Sequence, residues 1–489
     1  IVVGAGLGGI SAAISLATSG YDVMVFEKNE KIGGKLNSIS KKGYSFDLGP
    51  SILTLPHLFR RLFEAGGRRM EDYIPLQPVT PHWRNHFEDG SVIDLHLDRN
   101  RMHKELAKLD PRHVAEFERF MAFAEKQYDL VEKGYFERGL DTVWDFFKFY
   151  SLKEFFSLDF MNTMHNRSRK FFSDERLVNI FDFFIKYVGS SAVNAPGFMH
   201  SLPVIQFRYD LWYVPGGMYN IARGFRKYMD ELGITVHLKT EVTRINQIGG
   251  EATGVTAGGQ DYFSDFVVSN MEVIPACEKL LAAPPAFLKK LEKFEPACSG
   301  LILDLGLDTT YPQLAHHNFF FSASQEDHFD SVFNKKKLPE DPTIYLVAAS
   351  KTDPTVAPKG CDCLKILPHI PYISDDAPFT REDYHTFKER VVDKLERMGL
   401  KNLRKHTVFE HVWTPQDIRD NYYSNKGSIY GVVSDKKKNL AFKAPKRSRL
   451  LRNLYFTGGS VNPGGGMPMV ILCGQNVARA IIKDDREDD

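Results

Sequence analysis

The chain has 489 residues, of which 43% are hydrophobic and 26% are charged, and its formal net charge at pH 7 is +1. This length allows two or three folded domains, and the near-zero charge gives no indication that nucleic acid is a partner. The five Cys do not make a disulfide framework in so long a chain. Cys361 and Cys363 form a lone C-x-C pair, so we expect no metal site.

Phenylalanine is the exception in this composition, with 37 copies against 4 Trp. Such a content suits a wide apolar cavity or a lipid-facing surface, although a Phe-rich core is the simpler explanation. No run of about eighteen uncharged apolar residues occurs, so we expect no transmembrane helix.

The start of the chain predicts a strand, a helix and a second strand. Ile1 to Val3 is a short apolar strand, Ile10 to Ser19 is an Ala-rich helix, and Tyr21 to Glu27 is the second strand. Two strands joined by a helix within so short a stretch are parallel, which is the βαβ unit of α/β proteins.

A glycine-rich turn joins the first strand to the helix, and it reads Gly4-Ala5-Gly6-Leu7-Gly8-Gly9. It fits the dinucleotide fingerprint G-x-G-x-x-G, in which Gly4 permits the tight turn and Gly6 lets the backbone approach a pyrophosphate. Gly9 allows the helix to pack closely on the sheet. The N-terminus of the helix then presents free N–H groups to the phosphates.

Glu27 lies 21 residues beyond Gly6, at the end of the second strand. A carboxylate at this place would accept hydrogen bonds from the ribose hydroxyls of adenosine. Strand, helix and acid together favour a dinucleotide site over a glycine turn with a surface acid. NAD and FAD share this fingerprint, so the βαβ unit by itself leaves the choice between them open.

The later part of the chain separates into regions of different character. Helical periodicity is interleaved with many aromatic residues over 101–214, whereas 233–245, 301–305 and 343–347 predict strands. Leu454 to Phe456 is a last strand before a glycine-rich turn and a helix. The nucleotide-binding features therefore fall at the start, in the middle and at the end of the chain.

From this distribution we predict an α/β protein, α+β overall, with a discontinuous Rossmann-like domain. That domain would consist of residues 1–100, 215–290 and 440–489. A helical region that contacts substrate or membrane (101–214) and a substrate-binding domain (291–439) would be inserted between its pieces.

Several segments resemble flavoproteins of the amine oxidase and carotenoid desaturase superfamily. After Glu27 the chain continues with Lys28, the pair Gly33-Gly34 and Lys35, and in the family this extension lies near the cofactor phosphates. The run Phe46 to Ser51, which contains Gly49 and Pro50, resembles the family's Phe-Asp-x-Gly-Pro turn near the isoalloxazine ring.

The resemblance continues through the second half of the chain. Trp212 to Met218 is similar to the segment that returns to the flavin domain. Val242 stands where the family uses a backbone group against adenine, and Asn270 follows the next strand. The last turn and helix would contact the cofactor through Gly458, Gly459, Gly466, Met467 and Pro468.

The resemblance covers essentially the whole chain, and it implies FAD as the cofactor and a long linear polyene as the substrate. Desaturases of the family typically carry His-Pro-Gly-Ala-Gly at the last turn, whereas this chain reads Asn462-Pro463-Gly464-Gly465-Gly466. That departure resembles the oxygenase branch, and it implies oxidation of the terminal methyl group of a C30 carotenoid to an aldehyde, with O₂ or a quinone as electron acceptor. A carotenoid desaturase and a non-catalytic flavin-containing carotenoid-binding module remain as alternatives.

No catalytic acid or base can be assigned from the sequence. The polar candidates for the neighbourhood of the ring are Arg84, His316, His317 and Asn462. A His pair next to an apolar strand is more often packed or at the surface than catalytic.

The aromatic segment from Trp144 to Phe160 carries Lys148 and Lys153 among its Phe residues. This pattern suits a helix that lies in a membrane interface, and a core helix between domains is the competing interpretation. Because a carotenoid is stored in lipid, we expect a peripheral protein on the cytoplasmic side of the cell membrane.

Overall fold

The computed structural model describes residues 1–488, and a five-stranded parallel sheet lies at its centre. The strands of this first sheet are very short and consist mostly of Val, Leu and aromatic residues, and all except the edge strand Thr235–His237 are largely buried. In spatial order they are Leu454–Phe456, Val267–Ser269, Val2–Val3, Met24–Phe26 and Thr235–His237. Buried parallel strands of this composition are typical of α/β proteins.

All five strands of the first sheet come from the three segments that we predicted to form the discontinuous domain. The register pairs Val2 with Val25 on one side and with Val268 on the other. Strand Leu454–Phe456 then pairs with Val267–Ser269 and completes one edge. The division into domains stays a prediction, but this sheet places the start, the middle and the end of the chain side by side.

Helices cover the first sheet, and the first and last of them touch along their length. Leu7–Ala17 packs against Met467–Asp488, and Pro56–Glu64 and Asn220–Glu231 pack beside them. The closest approach is at Gly474, where a Cβ atom would lie 2.5 Å from the Gly8 carbonyl oxygen and 2.7 Å from the Ala12 amide nitrogen. Only a glycine allows two helix backbones to come so near.

A second, mostly antiparallel sheet has eight strands. Its strands in spatial order are Thr407–Trp413, Ile302–Leu307, Cys363–Ile370, Ile344–Val347, His317–Phe320, Trp83–His86 and Val92–Leu95, with Ser299–Gly300 beside Cys363–Ile370. Helix Arg381–Arg397 contributes Phe387, Val391 and Leu395 to the core beneath this sheet.

Part of the first predicted segment, 1–100, is hydrogen-bonded to the second sheet. Trp83–His86 pairs in parallel with His317–Phe320, so residues 83–95 belong to the second sheet by hydrogen bonding. Trp83 is fully buried and stacks on Phe184 at 4.1 Å between ring centroids. Sequence pattern could not detect this strand pairing, because its partner lies more than two hundred residues further along the chain.

Smaller sheets connect these two layers. An antiparallel sheet consists of Val242–Ile248, Glu251–Ala257 and Gln260–Phe263. Two strand pairs complete the set: Ser38–Lys41 with Tyr44–Asp47, and Gln77–Pro78 with Trp212–Tyr213.

Residues 99–209 form a helical region, as the sequence predicted. Its α-helices are Arg99–Ala107, Arg112–Val131, Val143–Phe149, Leu152–Ser157, Met164–Phe171, Glu175–Phe183 and Ser201–Tyr209. A π-turn, Glu132–Phe136, follows the longest of them, and 3₁₀ turns lie at Phe184–Val188 and Gly197–His200. The other short α-helices of residues 1–488 are Val273–Lys279, Pro285–Leu291, Gln325–Phe329, Leu403–His406 and Pro415–Tyr422.

The aromatic segment from Trp144 to Phe160 forms two short helices. Tyr150 leaves the helical conformation, and Ser151 caps the second helix through a capping box with Glu154. Phe146 is buried while Phe147 and Phe156 are exposed, so the segment combines a core face with an outer apolar face. Among residues 1–488, no helix is long and apolar enough to cross a membrane.

We predict that Gly474→Ala lowers the free energy of unfolding by about 1–3 kcal/mol, because the added methyl overpacks the contact between the first and last helices. At an open position in a helix, the same exchange would stabilise the protein by about 1 kcal/mol. Thermal and denaturant unfolding of the cofactor-loaded protein measure the effect. Arg486→Ala, at an exposed position of the same helix, is the control, and a Gly474→Ala protein that is more stable than wild type would disprove the close packing.

Candidate active site

A cavity of about 330 Å³ extends from the glycine loop of the first sheet to the helical region. Its wall includes most residues predicted to contact the cofactor, namely Gly6, Gly8, Gly33, Lys35, Gly49, Pro50, Ser51, Asn270, Gly458, Gly459, Gly466, Met467 and Pro468. The remaining wall is mostly apolar and includes Phe136, Phe146, Phe160, Phe198, Leu202 and Phe442. One continuous space therefore joins a dinucleotide site to an aromatic chamber.

The carboxylate of Glu27 is buried at the end of the second strand of the βαβ unit, next to the glycine turn. Glu27 accepts hydrogen bonds from the backbone N–H of Ala5 and of Asn29, each at 2.9 Å. The Gly33 amide donates to the Ala5 carbonyl at 2.7 Å, and this bond brings the Gly33-Gly34 extension against the fingerprint loop. Burial with few partners leaves lone pairs of the Glu27 carboxylate free for ribose hydroxyls.

The fingerprint glycines make room that any side chain would fill. A Cβ at Gly6 would lie 2.5 Å from the Asn270 side-chain nitrogen, and a Cβ at Gly8 would lie 2.6 Å from the Asn270 side-chain oxygen. The same Asn270 oxygen would be 3.2 Å from a Cβ at Gly458. Asn270 thus lies between the first and last glycine turns, and Gly9 approaches the Gly4 carbonyl as predicted.

The two predicted phosphate-binding lysines differ in their surroundings. Lys35 lines the cavity, but its ammonium is bound by the Glu272 carboxylate at 3.0 Å, the Ser424 hydroxyl and the Ser428 carbonyl. Lys28 points elsewhere, donating to the Asp420 carbonyl and lying over the ring of Tyr423. Neither position could have been deduced from the sequence, because the hydrogen-bonding partners lie between 237 and 393 residues away.

Val242 does not line the cavity. It is buried at the start of its strand and pairs with Ala257. Two residues earlier, the Thr240 amide donates to the Glu27 carbonyl at 2.9 Å, so Val242 lies close to the adenosine end of the site. This location agrees with a backbone contact to adenine, which stays a prediction.

The segments Phe46 to Ser51 and Trp212 to Met218 are joined by Asp47. Its carboxylate accepts the backbone N–H of Met218 at 3.0 Å, and burial raises the pKa of Asp47 to about 6. On the opposite side of the turn, the buried Lys365 ammonium donates to the Gly49 carbonyl and to the Ser51 hydroxyl. Lys365 lines the cavity and holds the turn in place, and no sequence motif identified it.

The last turn departs from the desaturase pattern at Gly465, and the structure gives a physical reason. A Cβ at Gly465 would lie 2.2 Å from the Tyr430 carbonyl oxygen, so an alanine does not fit without moving that loop. The backbone of Tyr430 occupies the place where the methyl group of an alanine would lie, so the glycine leaves no open space there. Beside this turn, helix Met467–Asp488 begins with its free N–H groups at the cavity wall.

Asn462 is buried, and both polar atoms of its side chain are hydrogen-bonded. Its side-chain oxygen accepts from the Tyr135 hydroxyl at 2.7 Å and from the Lys443 amide at 2.9 Å. Its side-chain nitrogen donates to the backbone and the carboxylate of Asp141, each at 3.2 Å. With its polar atoms engaged inside the protein, Asn462 positions the turn and does not face the cavity.

The other three catalytic candidates also lie off the cavity wall. His316 is hydrogen-bonded to the Thr352 hydroxyl at 2.7 Å, and His317 is hydrogen-bonded to the Tyr345 hydroxyl at 2.9 Å. Burial lowers the pKa of both imidazoles. Arg84 forms a bidentate ion pair with Asp94 and donates to the Gln313 carbonyl. They are structural residues of the second sheet.

The site fits a flavin dinucleotide. Glycines form a cradle that a Cβ would fill, the Glu27 carboxylate is buried against the fingerprint loop, and two turns from opposite ends of the chain face the cavity. These features define a flavoprotein with a dinucleotide-binding domain and an attached apolar chamber.

Comparison with known proteins places the chain in a family. It belongs to the flavin containing amine oxidoreductase family, whose model matches residues 7–482. It is 56% identical to the 4,4'-diapolycopene oxygenase of Methylomonas sp, covering 99% of this chain and 98% of that protein. It is 47% identical to the 4,4'-diaponeurosporene oxygenase of Staphylococcus aureus (strain USA300), covering 98% and 97%.

Solved structures share the fold. Cyclohexylamine oxidase from Brevibacterium oxydans IH-35A superposes with a TM-score of 0.63 at 16% identity, covering 99% of this chain and 98% of that one. Putrescine oxidase superposes with a TM-score of 0.65 at 13% identity over the same shares. The predicted α/β fold, the oxidoreductase class and the FAD cofactor are confirmed.

We predict that Gly6→Val abolishes FAD binding, because its side chain would displace Asn270 and block the approach of the pyrophosphate. Wild-type protein should retain FAD non-covalently and bind NAD(P) poorly. Flavin absorbance after gel filtration, and titration of the stripped protein with FAD, measure this. Ala17→Val adds similar bulk at the far end of the same helix and should bind normally, whereas full FAD affinity in Gly6→Val would refute the phosphate site.

Proposed function

We propose that this protein is an FAD-dependent carotenoid oxygenase that converts the terminal methyl group of a C30 carotenoid to an aldehyde. The observation that carries the proposal is the single cavity that joins the flavin site to an aromatic and aliphatic chamber. The names of its relatives, which are diapolycopene and diaponeurosporene oxygenases at 56% and 47% identity, support the same chemistry.

The chamber suits a linear hydrocarbon because its wall offers mostly carbon atoms. Burying apolar surface contributes about 25 cal/mol per Å², so a long polyene gains much of its binding energy from such a wall. Residues from the helical region, the second sheet and the last turn surround the chamber, including Phe160, Phe198, Leu202, Leu367 and Met469. They align the chain and exclude water, while FAD supplies the redox chemistry.

The protein's own polar residues control the end of the chamber near the flavin turns. Lys365 and Asp47 fix the Gly49-Pro50-Ser51 turn from two sides. Tyr135, held on the π-turn, lines the cavity and donates to Asn462 behind the glycine turn. These bonds hold in place the two backbone turns that line the cavity.

The alternative functions make different demands. A non-catalytic carotenoid-binding module needs no chamber that reaches the flavin turns, and the continuous cavity argues against it. A desaturase needs the same fold and cofactor, and it is distinguished by its products.

We predict that diaponeurosporene incubated with the enzyme under ¹⁸O₂ yields an aldehyde that carries ¹⁸O. Mass spectrometry of the products, with a parallel reaction in ¹⁸O-labelled water to correct for exchange, measures this. Products that gain only double bonds, at equal rates when a quinone replaces O₂, would make the protein a desaturase.

We further propose that the protein docks on a membrane face through the paired helices Val143–Phe149 and Leu152–Ser157. Trp144, Leu152 and Phe156 are 74%, 72% and 79% exposed, and Met161 nearby is 80% exposed. Exposed large apolar residues in such a cluster mark an interaction surface. Lys148 and Lys153 lie exposed among them, and Phe146 of the same segment lines the cavity, so this surface adjoins the chamber.

We predict that replacing Trp144, Leu152 and Phe156 together with Ser reduces binding to liposomes by at least about tenfold, since each exposed side chain would bury its apolar surface in lipid. Flotation with anionic liposomes measures this. Phe263→Ser, which removes a 76% exposed Phe from a distant strand, is the control. Unchanged flotation of the folded triple variant would mean that another surface binds the membrane.

A further inference from the structure

A lysine lies inside the apolar chamber without a hydrogen-bonding partner. Lys186 is 4% exposed and lines the cavity. Within residues 1–488, its ammonium group makes no hydrogen bond and no ion pair. It is instead surrounded by aromatic faces, with ring centroids at 4.3–4.8 Å from Nζ, belonging to Trp83, Tyr187, Phe319 and Tyr345.

Such an arrangement is costly unless a ligand completes it. A buried amino group that has lost its water and found no acceptor carries an unfavourable desolvation term. Cation–π contacts with the four rings offset part of this free energy of desolvation. A ring face does not replace a lone-pair acceptor, so the N–H groups directed into the cavity still lack a partner.

Lys186 lies at the flavin end of the chamber. The carbonyl of its neighbour Tyr187 would be 3.4 Å from a Cβ at Gly466, in the last turn. Tyr345, which covers the lysine, is on the strand that pairs with the strand of Lys365, the residue that holds the Gly49-Pro50-Ser51 turn. The amino group thus stands near the place where a chain end would react.

We propose that Lys186 binds the oxygen atom of a partly oxidised chain end, so that the cavity accepts terminal polyene alcohols and aldehydes as well as the hydrocarbon. The proposal rests on the proposed function, because it concerns a chain whose end has acquired oxygen. A hydrocarbon end offers no lone pair to an N–H donor, whereas a hydroxyl or carbonyl oxygen offers two. The second oxidation, from alcohol to aldehyde, then begins from a bound end group.

The protonation state of the lysine does not alter this role. Burial lowers the pKa of Lys186 well below its usual range, and the ring faces act in the opposite direction. Both the amine and the ammonium donate an N–H to oxygen. The nearby His317 and His369 are themselves buried with lowered pKa values, so neither imidazole adds a positive charge beside the lysine.

The test compares ligand binding without turnover. FAD-loaded enzyme with its flavin oxidised, kept free of O₂, is titrated with three probes: the C30 hydrocarbon, its terminal aldehyde, and a menaquinone. In this state the flavin has no electrons to pass to the aldehyde or to the quinone. We expect Lys186→Met to weaken aldehyde binding by at least about tenfold and hydrocarbon binding by less than about twofold. In wild type, the visible band of the aldehyde should shift to longer wavelength on binding, and the shift should disappear in Lys186→Met.

Two further variants separate hydrogen bonding from packing. Lys186→Arg keeps N–H donors and should retain much of the aldehyde affinity and the band shift, even if Lys186→Met folds poorly. Lys394→Met is the matched control: Lys394 is equally buried at 2% exposed, but it is ion-paired with Asp341 and Glu88 and does not line the cavity. It should leave all three affinities unchanged.

Turnover provides a second readout. With the hydrocarbon as substrate, Lys186→Met should accumulate the alcohol, because the second oxidation loses its binding contact, while Lys186→Arg should still form aldehyde. If Lys186→Met weakens the binding of hydrocarbon and of aldehyde equally, Lys186 contributes only packing. Loss of affinity for menaquinone alone would assign the site to an electron acceptor, and either result overturns the proposal.

Failure of the proposed function is a separate outcome. If wild-type enzyme never oxidises the hydrocarbon, the proposed reaction is wrong whatever the binding data show. If it does oxidise the hydrocarbon but aldehyde binding is independent of Lys186, only this inference fails.

Discussion

The backbone contact between the first and last helices is the constraint on which the site depends. Gly8 and Gly474 bring residues 7–17 and 467–488 so close that no side chain fits between them. Because of this contact, the fingerprint turn after the first strand and the glycine turn before the last helix face one cavity, with Asn270 between them. Two amine oxidases share the overall fold of this chain at 13–16% identity.

The sequence predicted those features whose signal is local. The run from Gly4 to Gly9, the acid at Glu27 and the final strand Leu454–Phe456 each depend on neighbouring residues, and the structure places them together. The fingerprint helix was located within a few residues, as Leu7–Ala17. Residues 83–95, which the prediction included in the segment 1–100, pair with the second sheet, and strand pairing between distant segments leaves no local pattern.

Polar residues of the chamber were the hardest to predict. Lys186 and Lys365 are single lysines in apolar strands and turns, and their environments are formed by residues far away in sequence. The candidates selected instead had visible patterns, such as the His316-His317 pair, but those imidazoles hold hydrogen bonds inside the second sheet. Asn462 was another candidate, and its amide is hydrogen-bonded to Tyr135, Lys443 and Asp141 behind the glycine turn.

The proposed docking of the exposed apolar face at Trp144 and Phe156 on a membrane would have a consequence for kinetics. A protein that docks beside lipid meets its substrate in two dimensions, so its rate depends on the mole fraction of carotenoid in the bilayer. Adding inert lipid would dilute the substrate and slow the reaction even though the amounts of enzyme and carotenoid are unchanged. The product would return to the same bilayer, and its removal would then depend on the next protein that shares that surface.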